Sequence, residues 1–142
     1  MTSTPPARTS SVQTVFRWLL GLLLLFTGSS HLTVARTTFQ AQVPSWAPLN
    51  PDRVVTLSGI VELCLGAALL LLGRQRVTVG WIVAAFFVAI FPGNLAQYQN
   101  RVNAFGLNSD RIRLLRLFLH PVLIAWPLWA TGAWQARPWQ RR

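Results

Sequence analysis

Six polar side chains lie inside otherwise apolar stretches of this 142-residue sequence, and these are the residues with which it could do chemistry. They are His31, Glu62, Asn94, Gln97, Arg116 and His120. A carboxyl group and an imidazole within reach of each other can hold and pass a proton near neutral pH. Amide and guanidinium groups donate hydrogen bonds to carbonyl oxygens. The set is therefore suited to binding a small polar headgroup and supplying it with a proton.

A quinone headgroup needs this combination, because each of its carbonyls accepts a hydrogen bond, its reduction takes up protons and its tail needs an apolar channel. We interpret Glu62 and His31 as a proton-holding pair. The ligand-binding residues in this interpretation are Asn94, Gln97, Arg116 and His120. Two facing histidines could instead ligate a haem, which we favour less. We expect no intrinsic cofactor, because the chain has no flavin, iron–sulfur or thiol motif. We also expect no metal site, since Cys64, two positions from Glu62, points to a different helix face.

A purely structural role is the alternative for each of these residues. Hydrogen bonds between helices in a membrane stabilise packing by about 0.6 kcal/mol each. A functional role is favoured most strongly for Glu62, because a carboxylate is the most costly of these groups to bury in hydrocarbon. Asn94 follows Pro92 and could repair the hydrogen bonding of a broken helix, and Arg116 could simply extend to the membrane surface.

Four apolar stretches, each near the 20 residues that a bilayer core requires, must position these side chains. They cover about residues 15–35, 54–72, 77–98 and 114–134, between an N-terminal tail at 1–14 and a basic C-terminal tail at 136–142. Apolar residues make up 52% of the chain and charged residues only 11%, whereas a soluble domain has roughly a quarter charged. The sequence thus excludes a water-soluble globule and predicts an all-α, integral membrane, antiparallel four-helix bundle.

The predicted helices place their polar residues at a similar depth. Counted from the side of the first and third loops, His31, Glu62, Asn94 and His120 lie within roughly 6 Å of a common level, at 1.5 Å of rise per residue. Glycines share the stripes of two of these residues, Gly59 and Gly66 with Glu62, and Gly28 and Gly21 with His31. In helix four Arg113, Arg116 and His120 share a stripe. We therefore expect a polar pocket that opens toward these two loops.

The loops differ in character. Residues 36–53 contain three prolines around Trp46 and predict an irregular flap on the membrane surface. The connection at 73–76 is short and predicts that helices two and three form a tight antiparallel hairpin.

The net charge of +10 does not indicate a nucleic-acid partner, because the arginines lie in pairs and triplets between apolar runs rather than on one face. They divide seven to six between the two membrane sides, which slightly favours cytoplasmic termini. Four tryptophans mark span ends on the side of the second loop, as an interfacial belt does. These are Trp18, Trp81, Trp134 and Trp139. The single cysteine excludes an enzyme that works through an internal cysteine pair.

Short motifs along the spans also resemble the DoxX-like family of small four-helix bacterial membrane proteins. They are Gly28-Ser-Ser-His31, Val43-Pro-Ser-Trp-Ala-Pro48, Ser58-Gly-Ile-Val-Glu62, Phe91-Pro-Gly-Asn94, Leu115-Arg-Leu and Leu123-Ile-Ala-Trp126. The resemblance implies a four-helix bundle of the bacterial inner membrane. Relatives are tied to quinone-linked sulfur oxidation or redox-stress complexes, and a distant branch looks like an assembly chaperone. His120 departs from the family, where glutamine is usual.

Two functional hypotheses follow. The first is a membrane subunit of a quinone-linked or redox-stress oxidoreductase system, in contact with membrane lipid, whose redox centre a soluble or peripheral partner supplies. The second is a non-enzymatic membrane partner or assembly factor in which the buried polar residues only fix helix packing. The residues do not decide whether the chain is itself an enzyme.

Overall fold

The computed structural model describes residues 8–104 and 106–136, and in that part of the chain every regular element is a helix. The elements are α1 (Ser11–Leu32), α2 (Arg36–Gln40), α3 (Pro51–Leu71), a 3₁₀ turn (Gly73–Gln75), α4 (Arg76–Gln99) and α5 (Asp110–Ala130). The predicted all-α four-helix bundle is confirmed. Residues 1–7 and 137–142 of the two predicted tails, with Trp139, lie outside the described residues.

Capping residues explain why three long helices begin before the apolar stretches do. Ser10 and Gln13 form a capping box at the start of α1, in which the Ser10 hydroxyl accepts from the Gln13 backbone N–H at 3.2 Å. Asn50 accepts from the Asp52 N–H at 2.8 Å ahead of α3. Ser109 accepts from the Ile112 N–H at 3.4 Å ahead of α5. Polar caps thus extend each helix by three or four residues beyond the predicted span.

The ends of two helices also differ from the prediction. α1 ends at Leu32 rather than at residue 35, and α5 ends at Ala130 rather than at 134. Gly132 follows α5 with a φ of +73°, a left-handed conformation in which glycine commonly terminates helices. Apolar residues continue past both ends, so hydropathy alone places the ends of these helices too far along the sequence.

The four long helices are each long and apolar enough to cross a membrane. Large apolar side chains cover their outer faces: Phe26 is 71% exposed, Leu71 79% and Phe118 70%. Exposed apolar surface of this extent marks contact with lipid or with another protein. The fold is therefore suited to a multi-pass membrane protein. Trp18 and Trp134 are exposed, whereas Trp81 is partly buried and packs against the core, so the interfacial belt stays a prediction.

The bundle is built from two closely packed helix pairs, α1 with α3 and α4 with α5, whereas α3 packs only lightly on α4. The connection between α3 and α4 is short, as predicted, but the expected tight hairpin between them is wrong. Gln13 Nε2 donates to the carbonyl of Trp129 at 2.8 Å, so the start of α1 and the end of α5 lie together. We call this the turn end of the bundle, because the α3–α4 turn also lies there.

Glycines hold α1 against α3. A Cβ placed on Gly66 would lie 2.7 Å from the carbonyl oxygen of Gly21, and one on Gly28 would lie 2.9 Å from that of Gly59. Each helix carries its two glycines seven residues apart, so both contacts fall on one stripe. The predicted glycine stripes are thus where the backbones meet.

The hydrophobic core fills the half of the bundle nearer the turn end. Its buried members are Leu20, Leu24, Leu65, Leu69, Val79, Val83 and Phe87. These residues come from the second half of α3, the first half of α4 and the facing part of α1. The opposite half, which we call the flap end, is not filled in this way.

The flap comprises residues 33–50 and contains α2, a short helix that the prediction of an irregular loop did not anticipate. The Arg36 guanidinium donates to both Asp52 carboxylate oxygens, at 2.7 and 2.6 Å, and so fastens the flap to α3. Gln40 Nε2 donates to Asp52 Oδ1 at 2.8 Å. The hydrogen bond between Arg36 and Asp52 raises the pKa of Arg36 and lowers the pKa of Asp52, so both groups are charged at neutral pH.

Asp52→Asn should loosen the flap without unfolding the bundle, because it removes the negative charge and one of the two carboxylate oxygens that bind Arg36, and it changes no core residue. We expect limited proteolysis to cut within residues 33–50 several-fold faster than in the wild type. Asp110→Asn, which changes an exposed carboxylate at the start of α5, is the matched control and should leave this rate unchanged. Equal cleavage of both variants and the wild type would contradict the anchoring role.

Candidate functional site

A cavity of about 900 Å³ lies at the flap end, between the two helix pairs and beneath the flap. Apolar side chains form most of its lining, and all four long helices contribute. Five of the six predicted polar residues line it, namely His31, Glu62, Asn94, Arg116 and His120. The sixth, Gln97, is only 2% exposed and is buried beside it. The structure thus brings the predicted residues together in one place.

His31 and Glu62 face each other across the α1–α3 contact. His31 Nδ1 lies 3.6 Å from Glu62 Oε2, and the two residues are only 8% and 5% exposed. Both atoms are buried and neither has a hydrogen-bond partner in the part of the chain that the structure describes. Gly59 permits the approach, since a Cβ there would lie 2.8 Å from the Cβ of His31. The helix packing therefore holds a carboxyl and an imidazole just beyond hydrogen-bond distance.

The common depth of these residues does not come from equal distances along the helices. His31 is one residue from the end of α1, whereas Glu62 is eleven residues from the start of α3. They meet because α3 begins well beyond the level at which α1 ends, so that Gly59, eight residues into α3, lies against His31. The ring of Phe39, from the flap, packs against His31 and covers it.

His120 and Asn94 form the second polar pair and join α5 to α4. His120 Nε2 lies 2.6 Å from the carbonyl oxygen of Phe87, and its Nδ1 lies 3.0 Å from Asn94 Nδ2. Because a carbonyl only accepts, Nε2 must donate, and Nδ1 of a neutral ring then accepts from the Asn94 amide. Both ring nitrogens are engaged within the protein, so this geometry does not favour His120 as a haem ligand.

Asn94→Leu should destabilise the protein by about 1–2 kcal/mol, because it leaves the buried Nδ1 of His120 without a donor. Unfolding in a detergent with increasing denaturant measures this change. Asn108→Leu, at an exposed position in the loop before α5, is the control and should fall within about 0.5 kcal/mol of the wild type. A stability of Asn94→Leu equal to that of the control would show that the pair contributes nothing.

Arg116 is held by two amide oxygens at the edge of the cavity. Its Nη1 donates to Gln97 Oε1 at 3.0 Å. With the Gln42 amide turned so that its oxygen faces the guanidinium, that oxygen accepts from Nη1 at 2.6 Å and from Nη2 at 3.2 Å. Gln97 Nε2 donates in turn to the carbonyl of Val102 at 3.3 Å. Arg116 therefore links α5, α4 and the flap, and its guanidinium faces the cavity rather than reaching away from the bundle.

Arg113, predicted to share a stripe with Arg116, has a different role. It donates to Asp110 at 2.7 Å, to the carbonyl of Val102 at 3.3 Å and to the side chain of Asn103. These contacts order the connection between α4 and α5. Arg113 does not line the cavity.

The flap contributes cavity residues that the sequence analysis missed. Phe39, Gln42 and Trp46 all line the cavity. The carbonyl of Gln42 packs on Gly93, where a Cβ would lie 3.1 Å away. The sequence signal for this contact was Gly93 beside Pro92, since a glycine inside a regular element often marks the close approach of another backbone.

Within residues 8–104 and 106–136, no three histidine, cysteine, aspartate or glutamate side chains lie close enough together to hold a metal ion. Cys64 is exposed on the outer face of α3, away from Glu62. The polar residues that line the cavity can donate and accept hydrogen bonds.

No curated protein and no solved structure matches the chain. A family model described as a domain of unknown function, DUF8561, matches residues 20–131. The match extends from α1 through the end of α5 and includes every residue that lines the cavity. The chain therefore belongs to the DUF8561 family.

Proposed function

We propose that this protein is a membrane subunit that binds a lipophilic quinone in the central cavity and exchanges a proton with it through Glu62 and His31. The observation that carries the proposal is the pair of facing atoms, His31 Nδ1 and Glu62 Oε2, buried 3.6 Å apart without a hydrogen bond. Burying two ionisable groups without a hydrogen bond between them costs free energy. A proton or a ligand group placed between the two atoms would offset this cost.

The lining of the cavity supports a ligand with a small polar head and a large apolar body. Its polar groups are concentrated on few residues, while the rest of the wall is mostly leucine, valine, phenylalanine, proline, alanine and tryptophan, with one isoleucine and one glycine. A volume of about 900 Å³ falls within the range of cavities that hold cofactor-sized molecules. Asn94 and Arg116 carry N–H donors in the wall of the same cavity, as the carbonyl oxygens of a quinone require.

Reduction of a quinone to a quinol takes up two electrons and two protons. The Glu62–His31 pair would deliver one proton to one quinone oxygen and be recharged from the flap side, and the second proton would reach the other oxygen from water at the flap side. A soluble or peripheral redox protein would supply both electrons. In this proposal the protein belongs to a quinone-linked or redox-stress system of the DoxX-like type. It lies in the bacterial inner membrane with its turn end in the cytoplasm.

Tryptophan fluorescence tests the proposal, because Trp46 and Trp126 both line the cavity. A short-chain quinone analogue added to the purified protein should quench the emission with a saturable dependence on concentration. Trp46→Phe with Trp126→Phe should lose most of this saturable component, whereas Trp18→Phe on the outer surface should keep it. Quenching that rises linearly without saturation in all three proteins would overturn the proposal.

One observation favours a second function, that of a non-enzymatic partner or assembly factor. His120 and Asn94 bond to each other, and Arg116 bonds to Gln97, so these residues already fix helix packing without any ligand. In that case the unpartnered His31–Glu62 pair would be a tolerated cost of packing. A protein without saturable quinone binding whose His120 and Arg116 variants unfold would favour this second function.

A further inference from the structure

A second buried charge lies at the turn end, remote from the cavity. Arg17 is only 8% exposed on α1, and two of its guanidinium nitrogens, Nε and Nη1, are buried without a hydrogen-bond partner in the described chain. A guanidinium is effectively always charged in proteins. A buried charge without a partner is costly, so a counter-ion is expected beside it.

The chain itself provides no acidic side chain for this purpose. The sequence contains only three acids, Asp52, Glu62 and Asp110. Asp52 and Asp110 begin α3 and α5 at the flap end, and Glu62 lines the cavity. None of the three forms an ion pair with Arg17.

The surroundings of Arg17 are instead positively charged. Arg76 is close enough to repel it, and Arg74 lies in the same turn. The carboxyl end of α3 contributes a partial negative charge of about half a unit, which is small against three guanidinium groups. A Cβ on Gly73 would lie 3.5 Å from Arg17 Nη1, so the guanidinium lies directly against the α3–α4 turn.

The depth of this site corresponds to a lipid headgroup. Arg17 is six residues into α1, about 9 Å along the helix from its start. The adjacent Trp18 is 48% exposed, as is typical of tryptophans at a membrane interface. Phosphate groups are the anions found at this level, and arginine binds them with two parallel hydrogen bonds.

We infer that Arg17, with Arg74 and Arg76, forms a binding site for the phosphate of an anionic phospholipid at the α3–α4 turn. The lipid neutralises the buried guanidinium and bridges α1 to the turn, so that it stabilises the bundle. Basic pockets between membrane helices bind phospholipid headgroups in this way. The site is separate from the cavity and does not depend on the quinone proposal.

The test compares the protein in nanodiscs of phosphatidylcholine alone and of phosphatidylcholine with phosphatidylglycerol. Phosphatidylglycerol should raise the melting temperature of the wild type, and native mass spectrometry should detect retained anionic lipid. Arg17→Gln should retain about tenfold less of this lipid, as expected for the loss of a charge-assisted hydrogen-bond pair. Arg53→Gln, an exposed arginine in α3 at the flap end, should behave as the wild type.

Gly73→Asp provides an independent variant if Arg17→Gln fails to fold. Its carboxylate would lie beside Arg17 and take the place of the phosphate, so the melting temperature in phosphatidylcholine should rise and the response to phosphatidylglycerol should disappear. Equal lipid retention by the wild type and Arg17→Gln, or an unchanged lipid response in Gly73→Asp, would overturn the inference. Stabilisation by inorganic phosphate alone to the same extent would overturn the assignment to a lipid.

Discussion

Gly66→Leu is expected to separate α1 from α3 and to lower the free energy of unfolding by about 3 kcal/mol, the upper range for overpacking a close contact. The Cβ alone would lie 2.7 Å from the carbonyl oxygen of Gly21, and it would also meet the backbone nitrogen of Leu25 at 3.0 Å. These are backbone atoms, which cannot turn away as the end of a side chain can. Chemical denaturation in detergent, followed by circular dichroism, measures the loss.

A graded series makes this prediction specific. Gly66→Ala should be destabilised less than Gly66→Leu, because only the Cβ clashes. Gly73→Ala is the matched control, since its Cβ would meet Arg17 at an ordinary contact distance of 3.5 Å, and it should be as stable as the wild type. If Gly66→Leu unfolds at the same denaturant concentration as Gly73→Ala, the glycine contact does not hold the helix pair together.

Glu62→Gln is expected to lower quinone-dependent turnover by about 100-fold or more, the typical effect of removing a general acid or base. Glutamine has nearly the same shape as glutamate but cannot donate and regain a proton. The free energy of unfolding should stay equal to that of the wild type or rise, because Glu62 Oε2 has no hydrogen bond to lose in the described structure. Turnover is measured in membranes that carry the protein and its redox partner, with a quinone analogue as substrate.

Stability separates this result from a structural role. His31→Gln should reproduce the loss of turnover with little loss of stability, and Asp110→Asn, at an exposed carboxylate, should keep full turnover. If Glu62→Gln and His31→Gln unfold more easily and turn over quinone normally, the pair is a packing element and the proposed function is wrong.

Sequence patterns predicted the helices and the residues of the cavity because both follow from hydropathy. A polar residue in an apolar stretch is conspicuous, and a shared glycine stripe identifies which helix faces meet. His31, Glu62, Gly59 and Gly66 were found in this way, and in the structure all four lie along the interface between α1 and α3. The resemblance to the DoxX-like family and the quinone ligand stay predictions.

Features that depend on three-dimensional packing were not predictable from the same patterns. A short turn between α3 and α4 suggested a tight pair, but the glycines draw α3 to α1 instead, and this leaves room for the cavity. The role of Gln42 depends on how the flap folds back over α4, which no periodicity encodes. The burial of Arg17 was likewise hidden, because an arginine near the start of a span is usually taken to extend to the surface.

Equilibrium binding of a short-chain quinone analogue to a protein with a filled cavity tests the central claim most directly. Ser58 lines the cavity one turn before Glu62, so Ser58→Phe would place a ring in the proposed headgroup site. Ser29→Phe, on the exposed face of α1, adds the same ring elsewhere. We predict saturable binding of equal affinity to the wild type and to Ser29→Phe. A folded Ser58→Phe should bind the analogue about tenfold more weakly, or more weakly still. Equal affinity of all three proteins would contradict a quinone site in the cavity.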